Sequence, residues 1–215
     1  MKWNSMSAKT CSILGGSSGI VAVLLLITSF MINPGPPPNA TANQLVEFGQ
    51  QHIKTILWGS WLQAVGPVFI VIFSSTLVSL SGNISRISGL MTLFGASVLM
   101  TVSLLEITFY MAALFREPPG MGAFAMNLIS AAQHLYFFVA APAFFIPLGV
   151  MILESGILSK WLGYSGILMG LIFSALGIIS IYDLVLSAWV TAFGIIQVFW
   201  WLSAAVTLIV RSGSH

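Results

Sequence analysis

Six long stretches of this chain carry one charged side chain between them. They run over 11–32, 56–80, 87–115, 123–153, 161–181 and 185–210, and the single charge is Glu106. A bilayer's hydrocarbon core is about 30 Å thick, which an α-helix crosses in about 20 apolar residues at roughly 1.5 Å each. Every stretch meets that length. Helix breakers lie between them: Asn33 with Pro34 to Pro38, then Ser81-Gly82-Asn83, then Arg116 to Gly120, then the ground around Glu154, then Tyr182-Asp183. The alternating ten-residue segments of a membrane β-barrel are missing. Backbone groups in lipid must be satisfied within their own element, so the expected fold is all-α: a polytopic bundle of six transmembrane helices in a single domain, 1–215.

Composition excludes the other classes. Seven Lys and Arg and five Asp and Glu make up 6% of the 215 residues, against about 25% in an ordinary soluble domain. Hydrophobic residues reach 58%, which no disordered chain shows. A net charge of +2 leaves no basic patch for nucleic acid. One cysteine, Cys11, rules out an intrachain disulfide and a Cys-based metal centre.

Placement of Lys and Arg sets the expected orientation. With both termini inside, Lys2, Lys9, Arg86, Lys160 and Arg211 are cytoplasmic, and Lys54 and Arg116 are outside. Lys2 and Lys9 before an apolar run, with Ala40-Thr41-Ala42 after it, also fit a secretory signal. That run is longer than a signal core and a proline-rich spacer separates it from the small residues, which favours an uncleaved first span. Beyond the spacer, Thr41 and Gln44 form a capping-box pattern, and Leu45, Phe48 and His52 recur at helical spacing. A short amphipathic helix over about 41–53 is expected at the outer surface, either as an interfacial anchor or as a lid over an outward-facing cavity.

Ionisable groups inside a membrane are costly, and each is a candidate for function. Two stand well inside a span: Glu106 in the third and His134 in the fourth. Helical rise puts Glu106 about 15 Å from Arg116, His134 about 21 Å from Gly120, and Gln63 about 13–14 Å from Lys54. Faces agree with depths. Ser103, Glu106 and Tyr110 share one face, and so do Asn127, Ser130 and His134, with Gln133 beside them; Ser60 and Gln63 share a third. One buried cluster between spans two, three and four is therefore expected, with Glu106, His134, Gln133, Gln63, Tyr110, Ser130 and Asn127 as candidates for a small-molecule, proton or ion site, and His134 as partner of Glu106. The competing reading is that the cluster only holds helices together. Pro67, Pro142 and Pro147 free the carbonyls of Gln63, Phe138 and Ala143, which a cavity or neighbouring side chain must then satisfy.

Other motifs point elsewhere. Gly163-Tyr164-Ser165-Gly166 matches the GxSG of rhomboid proteases, but the general base on a later helix has no counterpart, since only His215 follows. Packing explains it better: Gly163, Gly166, Gly170, Ser174 and Gly177 form a small-residue stripe. Haem ligation by His52 and His134 fails because His52 lies near the surface, so no cofactor is expected. Glu106, His134 and Gln133 make a weak metal set, so no metal is assigned, and no residue has a catalytic role.

The segments PGPPPNATANQLVEFGQQHIKTILWGSWLQ (34–63), SLLEITFY (103–110) and QHLYFFVAAPAFFIPLGV (133–150) resemble an uncharacterised family of six-helix bacterial integral membrane proteins. The resemblance implies a bacterial inner membrane and carries no activity with it. Two functions follow from the residues. The first is a small-molecule, proton or ion site in the outer half of the bundle, read as binding rather than catalysis. The second is a non-catalytic membrane subunit that meets protein partners through helix contacts, using the small-residue stripe or an exposed aromatic face.

Overall fold

A computed structural model describes residues 7–33, 40–114, 121–182 and 187–211. Its helices are α1 (Ala8–Ile32), α2 (Ala42–Gln51), α3 (Ile53–Leu80), α4 (Ile87–Leu114), α5 (Met121–Leu135), α6 (Ala141–Ser155), α7 (Lys160–Tyr182) and α8 (Ser187–Arg211). A five-residue π-helical turn, Tyr136–Ala140, joins α5 to α6. Among the described residues there are no strands, and six spans are long and apolar enough to cross a membrane. The protein is an all-α, multi-pass bundle.

Local signals set the ends. The Ser7 hydroxyl accepts the Thr10 amide at 3.2 Å, so α1 begins three residues before its apolar run. At α2 the capping box is complete: the Thr41 amide donates to Gln44 Oε1 (2.8 Å) and the Gln44 amide to Thr41 Oγ1 (3.4 Å). Only His52 interrupts the chain between α2 and α3, so the span reaches back to Ile53 rather than Ile56. Tyr182, expected in a turn, closes α7 instead; Asp183 lies outside the described residues. Gly156 ends α6 with φ at +66°, a left-handed stop that glycine adopts without strain.

The helices pack in the ring order α8–α1–α3–α4–α6–α7. In its middle sit Phe73 of α3, Phe144 and Phe145 of α6, Phe173 of α7, and Trp200 and Trp201 of α8, all buried. Trp201 stacks on Phe144 at 5.2 Å, and Trp200 meets Phe145 edge-on at 5.2 Å. Such pairs add roughly 0.5–1.5 kcal/mol each beyond burial. The indole N–H of Trp200 reaches the Leu162 carbonyl (3.2 Å) and Ser165 Oγ (3.1 Å), so the serine of the GxSG motif is a packing partner.

Where helices touch without large side chains, glycine makes the contact. The expected stripe on α7 packs inside the chain: Gly163 faces Leu153 and Gly149, Gly170 faces Ile146, and Gly177 faces the backbone of Phe137 and Phe138. Gly166 lies between Trp200 and Gly149, and Ser174 is half-buried. The stripe thus packs against α6, α8 and the π-helical turn Tyr136–Ala140. A second stripe was not expected. Gly15, Gly16 and Gly19 of α1 pack against Thr76, Ile209 and Phe73, drawing α1 onto both α3 and α8.

Gly95 of α4 lies directly against the Ala143 carbonyl of α6, the group that Pro147 deprives of its helical donor, and a Cβ there would overlap that carbonyl. Gly95→Ala must push two packed backbones apart, at a cost of about 1–3 kcal/mol. Gly194, with nothing within 4 Å of a Cβ, is the control. Thermal unfolding in detergent should show a clear loss of midpoint for Gly95→Ala and none for Gly194→Ala. Equal midpoints would remove the close approach from the account.

Candidate functional site

Pro67 has no N–H, so the Gln63 carbonyl of α3 lacks its intrahelical partner. Ser103 of α4 supplies one: its hydroxyl donates to Gln63 O at 3.2 Å. This bond aligns the two helices. One turn further along α4 stands Glu106, and the Gln63 side chain meets it, Nε2 donating to Glu106 Oε2 at 2.7 Å. Backbone and side chain of one glutamine are therefore both bonded to one face of α4.

The second carboxylate oxygen is held from the other side. Gln133 Nε2, on α5, donates to Glu106 Oε1 at 2.8 Å. A carboxylate flanked this way by carboxamide N–H groups from two other helices is a charge-assisted clamp. Its two arms differ. Gln63 is buried, 4% exposed, whereas Gln133 is exposed and Glu106 is half-buried, so the clamp is closed at α3 and open at α5.

Other expected members take different positions. His134 does not pair with Glu106. Its Nδ1 donates to the Ser130 carbonyl of its own helix at 2.7 Å. Adjacent helical residues point about 100° apart, so once Gln133 faces α4 its neighbour cannot. Asn127 and Ser130 are exposed on α5, and among the described residues neither bonds to Glu106. Tyr110 is half-buried one turn beyond Glu106 on the same face of α4. Ser60, one turn from Gln63 on α3, is buried with its hydroxyl unpartnered among the described residues. Orphaned buried hydroxyls are uncommon, and they fit a place that water or a ligand fills.

Two further features frame the clamp. The amphipathic helix α2 packs against α3, α4 and α5, the three helices that form it, with Gly49 close to Leu114 at the end of α4. Three residues past Gln133, the Tyr136 hydroxyl donates to Gln197 Oε1 of α8 at 2.6 Å. Tyr136 opens the π-helical turn, where the Ala141 amide reaches back five residues to the Tyr136 carbonyl. Pro142, which cannot donate to Phe138, follows at once. The sequence signal for the turn was Pro142; the Tyr136–Gln197 bond had none, because Gln197 is a lone polar residue in a span.

Glu154, exposed at the end of α6, makes a contact away from the clamp. Glu154 Oε2 accepts the Ser88 hydroxyl at 2.6 Å, joining α6 to α4 at the opposite end of the bundle, where Arg211 also donates to the Gly156 and Ile157 carbonyls (2.9 and 3.0 Å). Among the described residues no three His, Cys, Asp or Glu side chains converge. Comparison with family models, curated proteins and solved structures found no match.

Burial orders the two arms of the clamp. A partner enclosed by packed groups is harder to replace than one on an open side, where a neighbouring group can re-pair. Gln63→Ala should therefore lower stability by about 1.5–3 kcal/mol, and Gln133→Ala by clearly less. Thermal unfolding of both variants in one detergent tests the order; a larger effect at Gln133 would contradict the closed-and-open geometry.

Proposed function

We propose that the Gln63–Glu106–Gln133 clamp binds a proton or a small cationic ligand in the outer half of the bundle, between α3, α4 and α5. The setting we propose is a bacterial inner membrane with both termini cytoplasmic. One observation carries the reading: a carboxylate within the span has each oxygen bonded by a carboxamide from a different helix. Carboxamides do not take up protons, so Glu106 is the only member that can change charge. Each carboxylate oxygen keeps a further lone pair for an incoming N–H donor, cation or proton. Gln133 is the replaceable arm, since its exposed carboxamide can trade Glu106 for water or ligand.

Two details support a binding role over a purely structural one. A structural hydrogen bond would be served by one donor and a neutral acceptor, at lower cost than a carboxylate. Also, α2 lies across the same three helices, which favours the reading of that helix as a cover. Tyr110 and the unpartnered Ser60 hydroxyl then serve as further contacts for what enters. His134, turned onto its own helix, keeps Nε2 for a role outside the clamp.

The protein reconstituted in lipid nanodiscs tests this. Its melting temperature should respond to a step from alkaline to acidic pH, or to one of sodium, potassium, ammonium and tetramethylammonium. Glu106→Gln should remove that response yet leave a folded protein, and Glu106→Asp should restore part of it. Infrared difference spectra across the pH step should show a carboxyl band that Glu106→Gln abolishes. If wild type and Glu106→Gln respond alike, the clamp is only a helix fastener.

A further inference from the structure

The side of α3 turned away from the clamp has a different character. Lys54, Leu57, Trp58 and Trp61 follow the i, i+3, i+4, i+7 pattern of one helical face and line a shallow, open stretch of surface. Gln63 is nine residues from Lys54, which is half a turn around the helix. The buried polar residues Ser60 and Gln63 thus point into the bundle, while this face points out. Trp58 and Trp61 are 62% and 53% exposed, yet they are not independent: their rings meet edge-on with centroids 5.9 Å apart. Among the described residues, no carboxylate or carbonyl pairs with the Lys54 ammonium.

Polarity along this face is graded. The cation stands at the end of the span where α2 enters. Trp58 and Trp61 follow about 6 Å and about 10 Å deeper along the axis, and Leu57 lies between. A phospholipid has the same grading: phosphate outermost, then glycerol, then the top of an acyl chain. Tryptophan and lysine also gather at membrane interfaces as anchors spread around a helix. Here they converge on one face of α3 with the two indole rings in contact, and dispersed anchors need no such convergence. Charge decides the headgroup. Lys54 offers one unpaired positive charge, which a phosphate oxygen satisfies with a charge-assisted bond. A zwitterionic headgroup would bring its own ammonium beside Lys54, whereas an anionic headgroup with an uncharged polyol brings no such repulsion.

The geometry points to a binding site for a single anionic phospholipid on α3, with its phosphate on Lys54 and its glycerol and upper acyl chain against Leu57, Trp58 and Trp61. The site is separate from the clamp, because the two occupy opposite faces of one helix. A bound lipid here fixes the depth of α3 in the bilayer and with it the level of Gln63.

The test uses the full chain in phosphatidylcholine vesicles that contain brominated phosphatidylglycerol or brominated phosphatidylcholine at equal mole fraction. Bromine quenches nearby indoles, and the part due to Trp58 and Trp61 is the difference from a Trp58→Phe/Trp61→Phe double variant. Brominated phosphatidylglycerol should quench that part at a several-fold lower mole fraction. Lys54→Gln should bring the two lipids to the same midpoint, and Glu106→Gln should leave the preference unchanged. Lys54 and both tryptophans are exposed, so these variants fold, which a thermal melt checks. Equal midpoints in the wild type would mean ordinary interfacial contact and overturn the proposal. A preference that survives Lys54→Gln would do the same.

Discussion

A helix in lipid has no water to repair a missing hydrogen bond, and the bundle depends on how it repairs the gaps made by proline. Pro67 leaves the Gln63 carbonyl open, and Ser103 closes it from α4. That bond fixes the register of α3 against α4. Register then decides chemistry: with Ser103 on the Gln63 carbonyl, Glu106 one turn on faces the Gln63 carboxamide. Pro147 leaves the Ala143 carbonyl open, and Gly95 of the same α4 lies against it. Pro142 stands just after the π-helical turn of its own span. Thus α4 answers two of the three gaps, once with a hydroxyl and once with a bare Cα, whose C–H can approach a carbonyl closely.

Packing obeys the same economy. Apolar surface cannot drive helices together when the solvent is equally apolar, so shape has to. Two solutions alternate around the bundle. Glycines bring α1 onto α3 and α8, and α7 onto α6. Aromatic rings fill the middle, where the backbones stand further apart, and Trp200 ties its N–H to the Leu162 carbonyl. Large buried rings and glycine contacts gather on the side of α6, α7 and α8. By contrast, the buried apolar residues of α5 are Ala125, Ile129 and Ala132, small in two of three cases. The arm of the clamp on the open side thus sits on a helix whose described buried side chains are mostly small.

Much of this was readable beforehand for one reason: the bilayer imposes a single length on every span. Six apolar runs with polar breaks leave little freedom in counting helices, and the capping box at Thr41 fixed the start of α2. Ends were less legible. Ser7 extends α1 beyond its apolar run, and α3 starts at Ile53, because a helix continues through polar residues once its caps are satisfied. Glu106 stood out as an ionisable group in the wrong medium, and Gln63 followed from the position of Pro67. The Glu106–His134 pairing did not form, since depth and face place a residue only to within a turn. At that resolution Gln133 and His134 are equivalent, and the one that reaches α4 is chosen by a rotation of α5 that no periodicity in 121–135 records. The α1 glycines went unread because close approach depends on the partner helix, which a single segment does not reveal.

The two faces of α3 make one mechanical unit. On the lipid-site proposal, its outward face sets how deep the helix rides. Its inward face carries Gln63, whose two bonds hold α4 at a fixed level relative to that depth. Glu106 therefore sits at a height defined from the interface by a rigid helix, not by a loop. On the far side of Glu106 the arrangement is reversed. Gln133 belongs to a half-helix that ends in a π-helical turn, and the first residue of that turn is tied to Gln197 of α8. The Gln133–Glu106 bond is thus one contact in a longer α4–α5 packing, and the Tyr136–Gln197 bond anchors the same span to α8 independently of it.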